Sequence, residues 1–82
     1  MRVTVRLFAR LRELAGHGEW PEEIAEPGAS VATVWRTAVT RHPALEPYGN
    51  AISCAVNANF ARMNAPVRDG DEVAFLPPVS GG

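Results

Sequence analysis

Lysine is absent. All eight basic residues of this 82-residue chain are arginines, so no polymer can be built through a lysine side chain of the protein. Cysteine is nearly absent: Cys54 stands alone, which excludes an internal disulfide and fits a reducing compartment. No apolar run approaches the roughly 20 residues needed to span a bilayer as a helix. An excess of one charge is also missing. The net charge is −1, acids and bases are both spread along the chain, and there is no basic stripe of the kind a nucleic-acid binder carries. The opening run Met1-Arg2-Val3-Thr4-Val5-Arg6 interleaves basic and apolar residues, unlike a signal peptide, so the expected location is the cytoplasm. A chain of this length suits one domain with a modest core and leaves little room for an enclosed active site of its own making. Its hydrophobic share of 46% is that of a soluble globular protein.

The residues present organise themselves by period. Val3-Thr4-Val5-Arg6-Leu7 alternates and is rich in β-branched types, which predicts a half-buried strand with Val3, Val5 and Leu7 inward. Continued alternation puts Phe8 on the opposite, solvent side. Leu11, Leu14 and Ala15 at i, i+3 and i+4, followed by Gly16, predict a short helical turn closed by glycine. Trp20 to Ala25 reads as an edge strand, where Pro21 and the acidic pair Glu22-Glu23 are tolerated; that pair is expected to be solvated. Pro27-Gly28 is a turn. The clearest element is a helix from Val31 to Arg41. Ser30 suits its N-cap, and Val31, Val34, Trp35, Ala38 and Val39 form its apolar stripe. Pro43 ends it, and Arg41 complements its negative terminus. Pro43 to Ala51 reads as a loop, and Ile52 to Val56 as a strand with Ile52, Cys54 and Val56 on one face. Asn57-Ala58-Asn59 reads as a turn followed by a short irregular stretch. Asp69-Gly70-Asp71 is a second turn that enters a last strand, Glu72 to Leu76. In that strand Val73 and Phe75 face one way, Ala74 and Leu76 the other.

This element order is that of an α+β, β-grasp (ubiquitin-like) fold, in which a mixed sheet is covered by one main helix. The expected division is a β-grasp domain over residues 1–76 and an extended, flexible Gly-Gly tail over residues 77–82. Pro77 and Pro78 cannot continue a central strand and favour a stiff polyproline form. With Val79, Ser80, Gly81 and Gly82 they reach roughly 20 Å when extended. A closing Gly-Gly has no Cβ to obstruct a narrow channel in another protein. Its carboxylate becomes electrophilic once ATP converts it to an acyl-adenylate. Attack by sulfur then yields a thiocarboxylate, whose ionised sulfur is the nucleophilic form.

The run from Asp69 through Phe75-Leu76-Pro77-Pro78-Val79-Ser80 to Gly81-Gly82 resembles the C-terminal signature of the molybdopterin synthase small subunit, a sulfur-carrier family. Phe8-Ala9-Arg10-Leu11-Arg12-Glu13-Leu14-Ala15-Gly16 is similar to that family's N-terminal segment, and Ala55-Val56-Asn57 to its middle strand. The resemblance implies that Gly82 carries the acyl-adenylate and then the thiocarboxylate, while Gly81 and the residues back to Pro77 thread the partner's tunnel. It implies that Phe8, Phe60 and Leu76 pack on partner proteins, with Arg12 close by. Periodicity independently sets Phe8 and Leu76 on the face away from the core; Phe60 follows a turn that leaves its direction open. The implied partners are an adenylating and sulfurating enzyme that uses ATP, and a large synthase subunit that supplies the catalytic pocket. With the large subunit the family forms a heterotetramer of two small and two large chains, and sulfur passes to the dithiolene of molybdopterin. No bound cofactor or metal is expected, because His17 and His42 are far apart in sequence and lack ligand spacing; both are expected at the surface. Cys54 and Trp35 are expected in the core. Two other readings share the tail chemistry: a carrier for another sulfurated product such as the thiazole of thiamine, and a ubiquitin-like modifier joined through Gly82 to other proteins.

Overall fold

Strand β1 (Arg2–Leu7) alternates as its sequence dictates, with Val3, Val5 and Leu7 buried. The computed structural model describes residues 1–78. A short helix α1 (Ala9–Ala15) follows and stops at Gly16, whose φ of 84° lets its N–H reach the Arg12 carbonyl. Next come β2 (Glu19–Glu23), α2 (Val31–Arg41), a 3-10 helix over Pro43–Tyr48, and strands β3 (Ser53–Val56), β4 (Asn59–Ala61) and β5 (Glu72–Leu76). The five strands form one mixed sheet in the order β2-β1-β5-β3-β4. β5 is central, running parallel to β1 and antiparallel to β3. β2 lies at one edge, so Pro21 removes no ladder bond on its outer side.

Helix α2 covers one face of the sheet. Val31, Val34, Trp35 and Ala38 are buried, and the Trp35 ring meets that of Phe75 at a centroid distance of 5.0 Å. A tilted aromatic pair of this kind adds to the hydrophobic burial of both rings. At the N-terminus of α2, Ser30 and Thr33 cap each other, with the Ser30 N–H donating to Thr33 Oγ1 at 3.1 Å. The next two orphan donors are met by distant chain: Val31 N–H reaches the Ala65 carbonyl at 3.0 Å and Ala32 N–H the Met63 carbonyl at 2.8 Å. The connection before β5 is thereby pinned to the start of the helix.

Several expectations need correction. Pro43 to Ala51 is not a plain loop, because Pro43–Tyr48 winds as a 3-10 helix that buries Leu45 completely. Proline at the first helical position costs no hydrogen bond, so the residue that ends α2 also starts the next turn. The stretch after Asn57 is not irregular: β3 and β4 form a hairpin closed by Asn57 and Ala58 at φ 50° and 71°. Two successive left-handed residues twist the chain as a tight hairpin requires. Glu22 is not solvated. Alternation along β2 turns it inward, where it is 7% exposed. It accepts Trp20 Nε1–H at 3.0 Å and both Arg41 Nε–H and Nη2–H at 3.0 Å. A buried carboxylate needs such partners, and Arg41 therefore serves it as well as the helix terminus. Glu23 does stay exposed and pairs with Arg2. Trp20, unassigned by pattern, is buried. His17 and His42 lie at the surface side by side, because the β1–β2 connection returns to the C-terminal end of α2.

Candidate docking face and tail

The face of the sheet away from α2 carries the candidate site. Register sets one row across it: Arg6 opposite Ala74, Ala74 opposite Ala55, and Ala55 opposite Phe60. The alanines in the middle keep the row low, while larger residues stand at its ends. Phe8, Phe60 and Leu76 line one concavity of about 220 Å³ together with Arg6, Ala55, Ala58, Glu72 and Ala74. The three apolar residues implied by the family resemblance thus come from three segments to one place. Each has a local reason. Phe8 is the extended N-cap of α1, held where its N–H meets the Phe75 carbonyl at 3.3 Å. Leu76 ends the outward series of β5. Phe60 sits in β4 directly after the tight hairpin and is 84% exposed, the one large hydrophobic side chain so exposed among the described residues.

Charged groups frame this apolar floor. The Arg6 guanidinium lies 5.0 Å from the centre of the Phe8 ring and pairs with Glu19 at 3.3 Å and Glu72 at 3.4 Å. Exposed pairs of this sort contribute little stability, and their main effect here is to hold Arg6 across the row. A second concavity of about 210 Å³ adjoins the first and is lined by Arg6, Leu7, Phe8, Arg12, Gly18 and Glu19. Arg12 therefore borders the apolar patch through Phe8 and Arg6, which both concavities share. A Cβ at Gly18 would come within 2.9 Å of the Arg12 side chain, which would then have to shift.

Sequence reasoning put Arg6 and Ala74 on the outward sides of their strands but did not mark them, or Ala55 and Ala58, as parts of a docking face. The outward positions of β3 and β5 being alanine was the available signal: small residues on an uncovered sheet face leave space for another surface. Glu72 is anchored from behind, its N–H donating to Asn57 Oδ1 at 2.9 Å while Asn57 Nδ2 donates to Asp71. This ties the hairpin to the start of β5 and fixes Phe60 relative to Leu76.

Strand β5 ends at Leu76, as the two prolines require, and is followed by half-buried Pro77 and exposed Pro78. The remaining tail positions assigned from sequence, Val79, Ser80, Gly81 and Gly82, lie outside the described residues. Cys54 faces the core beside Met63, with its sulfur 3.8 Å from the thioether. Burial pushes its thiol pKa up, so it stays protonated and is unsuited to relay sulfur. Among the described residues no helix is long and apolar enough to cross a membrane.

Comparison with known proteins adds kinship to this geometry. The ThiS family matches residues 5–82. The molybdopterin synthase sulfur carrier subunit of Chlamydomonas reinhardtii is 36% identical, over 100% of both chains. That of Escherichia coli is also 36% identical, over 98% of this chain and 99% of its own. Among solved structures, SAMP1 of Haloferax volcanii, a small archaeal modifier protein, superimposes with a TM-score of 0.88 at 32% identity, covering 100% of each chain.

Proposed function

Because the chain belongs to the ThiS family, we propose that it is the sulfur-carrier subunit of a molybdopterin synthase. The observation that carries this reading is the end-to-end alignment with sulfur carrier subunits of that enzyme from an alga and a bacterium. The apolar concavity around Phe8, Phe60 and Leu76, on the sheet face from which β5 leads into Pro77-Pro78, supports it as a place to dock.

The working group is the carboxylate of Gly82. An adenylating enzyme joins one of its oxygens to the α-phosphorus of ATP, releasing pyrophosphate. Sulfur at the sulfide level, delivered by a donor, then attacks the acyl carbon, and AMP departs with that oxygen. The product is a thiocarboxylate, largely ionised at neutral pH. The carrier next docks on the large subunit through Phe8, Phe60 and Leu76, with Arg12 at the margin, while Pro77 to Gly81 pass through the partner's channel. Its sulfur bonds to the pterin as an acyl thioester, water cleaves the acyl–sulfur bond, and the sulfur stays on the pterin while the carboxylate returns for another cycle. A dithiolene needs two sulfurs, which suits an assembly of two carriers and two large subunits. On this reading the large subunit supplies the catalytic pocket, and ATP is consumed by the adenylating enzyme.

Intact mass spectrometry tests this after incubation with ATP, an adenylating partner and a sulfur source. The expected result is exchange of one oxygen for one sulfur, lost on deletion of Gly82 while circular dichroism shows the fold unchanged. Full loading of the deletion variant would refute the proposal. The likeness to an archaeal modifier protein makes conjugates of higher mass the informative alternative product. If they form and no thiocarboxylate does, the chain is a modifier.

A further inference from the structure

Away from the docking face, two imidazoles converge. His17, in the β1–β2 connection, and His42, the C-cap of α2, place their Nε2 atoms 2.9 Å apart. Nothing in the sulfur-carrier reading uses them. Their arrangement is supported from beneath: the Trp20 ring stacks on His17 at 4.6 Å and meets His42 edge-on at 5.3 Å. Trp20 is in turn fixed by its Nε1–H bond to Glu22, and Glu22 is held by two bonds from Arg41. Both rings therefore sit against a buried aromatic platform rather than swinging freely. Arg41 is the nearby cation, and its charge is neutralised by Glu22.

We propose that His17 and His42 form a two-imidazole site for a borderline divalent transition-metal cation such as Zn²⁺, with water completing the coordination. Imidazole nitrogen suits such ions. A tetrahedral ion bound at about 2.0–2.1 Å from each nitrogen needs the two Nε2 atoms about 3.3 Å apart. The pair meets this by opening some 0.4 Å, a small rotation of the exposed His17 side chain. In the metal-free pair one ring donates Nε2–H to the other; metal binding requires both Nε2 lone pairs, so the donor ring moves its proton to Nδ1. A neutral pair thus binds without net proton release. The described residues contain no group of three or more His, Cys, Asp or Glu able to share one ion, so water rather than a third side chain fills the remaining positions, and the site is expected to exchange its metal.

Zn²⁺ titration of the tag-free full chain near pH 7.5, by calorimetry and by imidazole ¹⁵N chemical shifts, tests this. One saturable equivalent is expected, with both Nε2 resonances displaced. His17→Ala and His42→Ala should each weaken binding at least tenfold while circular dichroism reports an intact fold. His17→Asn, at an exposed loop position, repeats the test without perturbing α2. Absence of saturable binding would overturn the proposal and leave the pair as a hydrogen bond. So would affinity unchanged in either alanine variant.

Discussion

Phe60→Ala separates folding from docking more cleanly than any other single change on this surface. The ring is 84% exposed, so its removal takes almost nothing from the core, and stability should stay within about 0.5 kcal/mol. Against a partner the same ring has its whole surface still to bury. Fully burying a phenylalanine side chain contributes about 2–3 kcal/mol, which corresponds to a rise in Kd of roughly 30- to 150-fold. Calorimetric titration with a molybdopterin synthase large subunit gives Kd, and urea unfolding gives stability, on the same preparation. The expected outcome is an unchanged unfolding midpoint with binding weakened by more than tenfold. A Kd within about threefold of the parent, with the fold intact, would refute the docking role of this residue; a threefold change is under 1 kcal/mol, too little for a buried aromatic anchor.

Leu45→Ala should cost about 2–5 kcal/mol, because Leu45 is fully buried beneath the 3-10 helix; urea unfolding reads this directly. Gly70→Ala meets no atom within 4 Å but must hold a φ of 88°, so a loss of about 1–2 kcal/mol from backbone strain alone is expected in the same assay. Stability should fall in two stages on acidification. His42 has a folded pKa below the ordinary 6.5, so the unfolded chain takes up the proton first and stability drops as pH passes down through that value. For Glu22, desolvation pushes the pKa up, but hydrogen bonds from Arg41 and Trp20 outweigh it and leave the net value below 4.5. Its contribution is therefore complete above that value and is lost as pH falls through the lower folded value. His42→Gln should remove the first stage and Glu22→Gln the second, as followed by thermal unfolding across pH.

Elements with a strong period were legible in the sequence. The residues of α2 declare themselves by an unbroken apolar stripe between Ser30 and Pro43, and β1 by strict alternation; both stand where their patterns put them. The turn at Asn57-Ala58 was legible, but the returning strand β4 was not, because it is three residues long and its first two are exposed, too short and too wet to show a period. Glu22 misled because an acidic pair beside proline suggests a wetted edge. Only the arrival of Arg41 from a separate element makes burial of that carboxylate tolerable. The pairing of His17 with His42 is likewise a product of tertiary packing that no local spacing encodes. At the candidate site the outward directions of Phe8 and Leu76 follow from alternation. That of Phe60 needed the hairpin, and the alanine floor became visible only once register aligned Ala55 with Ala74.

The central place of β5 has a mechanical consequence. A partner that grips the chain beyond Pro78 and draws on it pulls along a strand bonded on both sides, parallel to β1 and antiparallel to β3. Such a pull loads the rungs on both flanks together in shear, whereas an outer strand would have one ladder alone to resist it. Under the sulfur-carrier proposal the folded body is then a stopper at the mouth of the partner's channel, against which the tail can be seated and withdrawn under tension without unravelling what holds it.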